Sequence, residues 1–328
     1  MQLAAAYPPM AGLASRVSHV KTLVKRGLAL LITLGFVLWV AHSGARWHDS
    51  IVAVQALPAH YLLLTVVAFI ASYLLRAGRV YDEFRETTGA RFSSILRLTL
   101  VHNAMVNILP FRSGEAAFPV LLSRWFGVPT TRAVVALLWL RIQDAFVVLA
   151  LAAFVWPNLH LALRMAWIGA VVLAAWLIPV WAARHPEIET RAGRFSASIH
   201  RIREALAEST RHHGRGWLWT LANWIIKLLA QAWLLAALLA TPLLAGLAGA
   251  LGVELAAILP IQGVAGFGTY EAGGAALLTA HNISFQQGLN AALALHLFVI
   301  ACALLAGGLA AALLPGAPLT ANNGNPPK

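Results

Sequence analysis

Long apolar runs are the feature of this sequence that most limits its fold. Six of them approach the ~20 residues that an α-helix needs to cross a hydrocarbon core about 30 Å thick. A soluble protein carries about 25% charged residues, whereas 11% of these 328 residues are charged and 60% are hydrophobic. The sequence therefore predicts an all-α, polytopic membrane protein with about six full transmembrane helices. These spans are predicted at about 27–44, 58–76, 133–155, 162–183, 217–240 and 289–314.

Two further apolar regions, at about 95–124 and 243–279, are interrupted by proline, glycine and charged residues. Unwound backbone at membrane depth is stable only where it is buried in protein or lines a wet cavity. We therefore predict two re-entrant broken hairpins, each of which enters and leaves the membrane on one side. Kinked helices that use their glycines for packing are the alternative interpretation.

Basic residues are distributed unevenly around the spans, and this predicts the orientation. Those after the second predicted span are Arg76, Arg79, Arg85, Arg91 and Arg97. The N-terminus and the 184–216 loop are also basic, whereas the connections on the opposite side hold only Arg46. Cytoplasmic loops carry an excess of Lys and Arg. We therefore predict a multi-pass protein of the bacterial inner membrane whose N- and C-termini, 77–94 segment and 184–216 loop are cytoplasmic.

The domain organisation follows from these spans. One transmembrane domain is predicted at 27–314, between a basic cytoplasmic N-terminus at 1–26 and a disordered tail at 315–328. The basic start resembles a signal peptide, but the apolar run after it is long and has no convincing cleavage site, which favours an uncleaved span. Two halves, at about 58–155 and 217–314, are joined by the cytoplasmic loop. That loop has the pattern of an amphipathic helix on the inner leaflet, or of an ordinary solvated helix.

The two broken regions share a motif. Each contains the tripeptide Ile-Leu-Pro, which ends at Pro110 or Pro260, followed by a glutamate, Glu115 or Glu271. Each half thus reads span, broken hairpin, span, and the predicted topology gives the halves opposite orientations. Paired segments interrupted by Gly and Pro in an inverted repeat indicate the midplane binding site of a transporter.

Four of the twelve acidic residues lie within the predicted membrane regions, at Glu115, Asp144, Glu254 and Glu271. An ionised side chain at bilayer depth costs at least about 2.5–3.5 kcal/mol on insertion scales, so such residues are candidates for function. Glu254 is expected near the periplasmic mouth, which makes it the weakest of these candidates.

The spacing of the charges predicts their partners. Arg112 lies three residues before Glu115 and is its expected local partner. Arg141 and Asp144 lie on one helix face and can pair with each other, either for function or only to fix helix packing. Lys227 needs an acid, which Glu271 or Asp144 could supply.

Two headgroup chemistries fit these residues. Cations beside re-entrant helix ends can bind a phosphate through charge-assisted hydrogen bonds, whereas carboxylates can bind a cationic headgroup or carry protons. The sequence leaves both open. The candidate substrate-binding or translocation residues are Asn107, Pro110, Arg112, Gly114, Glu115, Arg141, Asp144, Lys227, Pro260, Gly266, Gly268, Tyr270 and Glu271.

Other functional classes have little support. The single cysteine, Cys302, lies in an apolar run, which excludes a disulfide or a cysteine metal site, and no metal or cofactor is predicted. The basic residues lie between apolar spans, which argues against a nucleic-acid partner. The sequence has no nucleophile-elbow motif, no H-E-x-x-H and no Asp-rich metal cluster, so we predict that the chain is not an enzyme.

At these motifs the sequence resembles the lysylphosphatidylglycerol synthase transmembrane-region family, also described as flippase-like membrane proteins. The resemblance covers about 20–314 and implies a lipid translocase. His296 departs from it, because the family's second half often has an arginine there. No synthase domain follows residue 314, so we expect a stand-alone member that performs no aminoacyl transfer. The stretches that carry the resemblance are N-I-L-P-F-R-S-G-E from Asn107 to Glu115, R-I-Q-D from Arg141 to Asp144, and Leu259 to Glu271.

The predicted function is movement of a phospholipid or lipid-linked substrate between the leaflets. The membrane lipid is then the principal partner, and a homo-oligomer or envelope-assembly partners are compatible with the sequence. The alternative is a non-transporting accessory subunit of an envelope lipid or glycan assembly pathway, in which the charges would be packing pairs.

Overall fold

The computed structural model describes residues 34, 38, 47–156, 159–183, 206–207, 213–259 and 263–315, and every regular element within these ranges is helical. The first half contains α1 (Trp47–Gln55), α2 (Ala59–Thr88), α3 (Phe92–Ile108), a 3-10 helix (Pro110–Ala116), α4 (Ala117–Phe126) and α5 (Thr130–Val155). The connecting helix is α6 (Leu161–Ala183). The second half contains α7 (His213–Leu239), α8 (Leu243–Ile258), a 3-10 helix (Val264–Gly266), α9 (Thr269–Thr279) and α10 (Phe285–Leu313).

The predicted all-α polytopic membrane fold is confirmed. Within the described ranges, five helices are long and apolar enough to cross a membrane, namely α2, α5, α6, α7 and α10. The sixth predicted span, at 27–44, lies outside the described residues apart from Leu34 and Leu38. The predicted N-terminal segment, most of the 184–216 loop and nearly all of the predicted disordered tail also lie outside them.

Proline and glycine mark several helix boundaries. Pro58, Pro129 and Pro242 immediately precede α2, α5 and α8, where a missing backbone N–H costs nothing. Gly89 and Gly127 end α2 and α4 in the left-handed conformation, with φ of 60° and 70°. Glycine reaches this conformation without steric cost. The chain therefore reverses direction sharply between consecutive elements.

Both regions predicted to be broken are a helix, a short 3-10 helix and a second helix. In the second half, α8 and α9 pack with their backbones in contact, because a Cβ at Gly252 would meet the carbonyl oxygen of Gly273, and a Cβ at Gly273 would meet that of Gly252. In the first half, a Cβ at Gly114 would meet the backbone of Met105. The first 3-10 helix is thus held against α3, the helix that leads into it, and the second also contacts α3.

The two halves pack against each other reciprocally. Their first spans, α2 and α7, face each other, while α3 packs on α10 and α8 packs on α5. The two 3-10 helices meet at the centre. If each hairpin is re-entrant, each half crosses the membrane twice, and α6, the one span between them among the described residues, gives the halves opposite orientations. The element order therefore agrees with the predicted inverted repeat.

Helix α2 is longer than the span predicted at 58–76, since it ends at Thr88. Arg76 and Arg79, which were expected after the second span, therefore lie within this helix. Arg79 is buried and bonded to other helices, which stabilises a cation that would otherwise end the span. The basic residues Arg85 and Arg91 remain near the end of α2, and the predicted orientation depends on them.

Candidate functional site

A cavity of about 460 Å³ lies between the two hairpins. Exposed apolar side chains, including Val134, Leu138 and Ile258, lie at its opening, so a ligand could enter sideways from the lipid. Its polar lining comes from both halves of the chain: Arg76, Asn103, Asn107, Glu115, Arg141, Asp144, Lys227, Glu254, Thr269, Tyr270 and His296.

Asp144 is the centre of a hydrogen-bond cluster. Its Oδ1 accepts from Arg79 Nη1 at 2.7 Å and from Trp224 Nε1 at 3.0 Å, and its Oδ2 lies 3.2 Å from Arg141 Nη1. Arg79 also donates to the Leu140 carbonyl at 2.6 Å. The predicted pairing of Arg141 with Asp144 is present, but Arg79 makes the shorter contact.

Glu115 pairs with Arg141 across the first hairpin. The distance from Arg141 Nη2 to the Glu115 carboxylate is 2.8 Å, and His102 Nε2 lies 3.8 Å from the same carboxylate. The Arg141 side chain is 34% exposed, so a molecule in the cavity can reach it. The expected partner of Glu115 was Arg112, whose side chain lies outside the described structure.

Lys227 pairs with Glu254. The predicted partners of Lys227, Glu271 or Asp144, were therefore wrong, and so was the predicted position of Glu254 near the periplasmic mouth. Lys227 Nζ lies 2.7 Å from Glu254 Oε1, and Gln231 Nε2 donates to the same oxygen at 2.7 Å. Glu254 lies eleven residues after Leu243, the first residue of α8. It is therefore roughly 17 Å along the helix axis from that end. Glu254 is therefore a buried residue of the cavity wall rather than one at the periplasmic mouth.

Glu271 lies behind the cavity and does not line it. It is fully buried, its Oε2 accepts from the Gly268 backbone N–H at 2.7 Å, and its Oε1 lies 2.6 Å from His296 Nδ1. The Tyr270 ring stacks on the His296 ring with centroids 4.2 Å apart. Tyr270 and His296 both face the cavity. The expectation that Glu271 would line it was wrong, because Glu271 caps α9 instead.

Of the remaining predicted residues in the first half, Asn107 lines the cavity and its Nδ2 donates to the Asn103 carbonyl at 2.8 Å. Pro110 begins the 3-10 helix. Gly114 is buried against α3 and is not part of the lining.

In the second half, Gly266 and Gly268 both have φ of 87°. Only glycine adopts this conformation readily. Gly266 lines the cavity and lies beside the His296 ring, whereas Gly268 precedes α9 as its N-cap residue. Pro260 lies outside the described residues.

Several residues of the site were absent from the predicted list, namely Arg76, Arg79, Asn103, Glu254, Thr269 and His296. Arg76 lines the cavity and Arg79 bonds Asp144, but both resemble loop charge in the sequence. The structure, rather than the sequence motif, relates Arg76 to the second half. Ser72 Oγ donates to Asn223 Oδ1 at 2.8 Å across the two halves, at a separation of 151 residues, and the same separation relates Arg76 to Lys227.

The described residues contain no group of three or more His, Cys, Asp or Glu side chains placed to hold a metal ion. The functional groups of the cavity are therefore the arginines, the lysine and their paired carboxylates. Such an arrangement can bind a polar headgroup through ionic and hydrogen-bonded contacts.

A family model described as the lysylphosphatidylglycerol synthase TM region matches residues 27–307. The chain belongs to this family. A comparison with curated proteins found no match. The part shared with the lysylphosphatidylglycerol synthase TM region contains both hairpins and the whole cavity lining, which runs from Arg76 to Val299. It also includes the first predicted span, at 27–44.

Proposed function

We propose that the protein moves a phospholipid or another lipid-linked substrate between the leaflets of the bacterial inner membrane, without acting as an enzyme. The observation that carries this proposal is the charge-lined cavity between the hairpins, whose opening is apolar. An amphiphile has the same division of polarity. Its headgroup would occupy the cavity while its chains stay in the lipid beside Val134 and Leu138.

The volume of the cavity suits a headgroup. At about 460 Å³, it lies in the range of small-molecule sites, roughly 300–1,000 Å³. The acyl chains of a lipid would not need to enter it, because the opening leads to the apolar surface. A lateral opening thus avoids the cost of moving the chains through a polar interior.

The proposed orientation follows the basic residues. The lining residues of α5 begin at Val134, one turn after its start at Thr130, and end at Ala145. Arg124 and Arg132 lie near that start. The positive-inside rule places this end in the cytoplasm, so the cavity would open toward the inner leaflet and both termini would be cytoplasmic.

The ion pairs favour rocking of one half against the other. Glu115 and Asp144 pair with arginines of the first half, and Glu254 pairs with Lys227 of the second, where Glu271 also contacts His296. A rigid-body movement of the halves would leave these carboxylates with their partners in the same half and, of their hydrogen bonds, would break only the one from Trp224 to Asp144. Transporters built from inverted repeats alternate access by such movements around a fixed site.

Headgroup sidedness in proteoliposomes tests the proposal. The purified protein is reconstituted with fluorescent phospholipids, and the loss of inner-leaflet label is followed with a membrane-impermeant quencher. The wild type should accelerate this loss. Ala145→Trp fills the cavity from α5 and should remove the acceleration, whereas Ala170→Trp, on the exposed surface of α6, should retain it.

The accessory-subunit alternative gives a different result. A folded wild-type protein that accelerates the movement of no lipid would reject translocation and favour a packing role for the charges. Acceleration that persists in Ala145→Trp would reject this cavity as the site.

A further inference from the structure

The inverted repeat places equivalent pairs of residues in the two halves. Ser72 and Asn223 are 151 residues apart, and the same separation relates Arg76 to Lys227 and Asn103 to Glu254. In the first half, Arg76 Nη1 donates to Asn103 Oδ1 at 2.8 Å. In the second, Lys227 Nζ contacts Glu254 Oε1 at 2.7 Å. Each half therefore joins a cation on its first span to a side chain on the next helix.

The two pairs differ in charge. Glu254 neutralises Lys227, whereas the Asn103 amide is neutral and leaves the charge of Arg76 uncompensated. Among the described side chains, no carboxylate lies within 4.0 Å of the Arg76 guanidinium. A cation at membrane depth is costly unless it is paired or faces water. Arg76 meets this condition through the cavity that it lines.

The carboxylates of the cavity are already committed. Glu115 is bound by Arg141, Asp144 by Arg79 and Arg141, and Glu254 by Lys227. A cationic headgroup would have to share a carboxylate with one of these internal cations. An anionic group would meet the unneutralised Arg76 and also the exposed part of Arg141.

We propose that Arg76 is the anion-binding residue of this cavity and that the substrate is a lipid with an anionic phosphate. The inference rests on the proposed role of the cavity as a substrate site. Arginine holds phosphate oxygens with short, charge-assisted hydrogen bonds. The phosphate would come from a glycerophospholipid diester or from the phosphomonoester of a polyprenyl lipid.

Binding to the detergent-solubilised protein tests this inference without requiring transport. The probes are dihexanoyl-phosphatidylglycerol, a short polyprenyl phosphate, and dihexanoyl-glycerol as the phosphate-free control. Ligand-induced shifts of the melting temperature report affinity, because a ligand stabilises the folded state in proportion to its binding. We expect at least one phosphate lipid to bind, and dihexanoyl-glycerol to bind at least about tenfold more weakly. The preferred phosphate probe identifies the source.

Two substitutions at Asn103 isolate the effect of placing a negative charge beside Arg76. Asn103→Glu supplies Arg76 with the internal carboxylate that the second half already has, and it should weaken binding of the phosphate lipid about tenfold. Asn103→Gln has the same length as Asn103→Glu without the charge, so the weaker binding expected of Asn103→Glu relative to Asn103→Gln measures the effect of the charge alone. Arg76→Gln removes the cation directly and should also lower the affinity for the phosphate lipid about tenfold. This variant tests the proposal if Asn103→Glu does not fold.

The outcomes separate this inference from the proposed function. Equal binding of the phosphate lipid by wild type, Asn103→Glu and Arg76→Gln would overturn the role of Arg76, even if proteoliposomes show translocation. Equal binding of dihexanoyl-glycerol and the phosphate lipids would overturn the substrate class. The expected binding pattern without movement of any lipid would leave the anion site standing and reject translocation.

Discussion

The guanidinium of Arg79 lies 2.7 Å from the carboxylate of Asp144, and both side chains are buried. The pair joins α2 to α5 within the first half of the chain. Trp224 of the second half donates to the same carboxylate oxygen at 3.0 Å. Asp144 thus links three helices while also contacting Arg141 at the cavity wall.

Replacing Asp144 with Asn should destabilise the fold strongly. The substitution leaves Arg79 buried without a counter-charge, and breaking a buried ion pair on one side costs about 3–5 kcal/mol. Thermal unfolding in detergent, followed by size-exclusion chromatography, measures the loss. The matched comparison is Arg79→Met combined with Asp144→Leu, which removes both charges and should lose less stability. A double variant as unstable as Asp144→Asn would contradict the argument.

Gly252→Ala should push apart α8 and α9, the two helices of the second hairpin, and lower the stability of the fold. A Cβ at this position would meet the Gly273 carbonyl oxygen, so α8 and α9 would have to move apart at a cost of about 1–3 kcal/mol. The control is Gly169→Ala on α6, where a Cβ would meet no atom within 4 Å and alanine should be neutral or slightly stabilising. Equal melting temperatures for the two variants would show that the close approach is not required.

Substitutions at Glu271 separate the stabilising effect of its cap on α9 from the effect of its negative charge. Glu271→Gln can still accept the Gly268 N–H and fill the same space, whereas Glu271→Ala loses this hydrogen bond and the contact with His296. An unsatisfied buried donor costs about 1–3 kcal/mol. The alanine variant should therefore melt well below the glutamine variant. A glutamine variant that melts as far below wild type as the alanine variant would mean that the negative charge, rather than the cap, stabilises the start of α9.

The orientation can be measured by cysteine labelling. In a Cys302→Ser background, Ala280→Cys should react with a membrane-impermeant maleimide from the periplasm, and Thr87→Cys only after permeabilisation. Both positions are exposed at helix ends, and the positive-inside rule predicts opposite sides for them. If Thr87→Cys reacted from the periplasm and Ala280→Cys only after permeabilisation, the predicted topology would be inverted.

The long spans were predictable because apolar runs of this length have no other stable environment. The span predicted at 133–155 is observed as Thr130–Val155, and that at 162–183 as Leu161–Ala183. The two interrupted regions were also predictable, since Pro110 and the glycines around Gly266 cannot continue a regular helix. These inferences need only the local sequence.

The partners of the charges were less predictable, because they depend on how helices pack. Lys227 meets Glu254 only because α8 runs back along α7, and no local spacing shows this. Arg76 and Arg79 resemble the start of a basic loop, and only the packing of α2 against the cavity identifies them as interior residues. The shared Ile-Leu-Pro motifs are 150 residues apart, whereas Ser72 and Asn223, like Arg76 and Lys227, are 151 apart, so the sequence motif alone does not relate Arg76 to Lys227.

The formation of each Arg or Lys ion pair of the cavity within one half has an electrical consequence. The work that a membrane potential does on a moving segment scales with the net charge that is displaced, at about 2.3 kcal/mol per charge per 100 mV. Glu115 with Arg141, and Glu254 with Lys227, move as neutral pairs and contribute little. Arg76 is the described side chain of the cavity whose charge remains in the empty protein. An anion bound there would cancel it, so the loaded and empty states would respond differently to voltage.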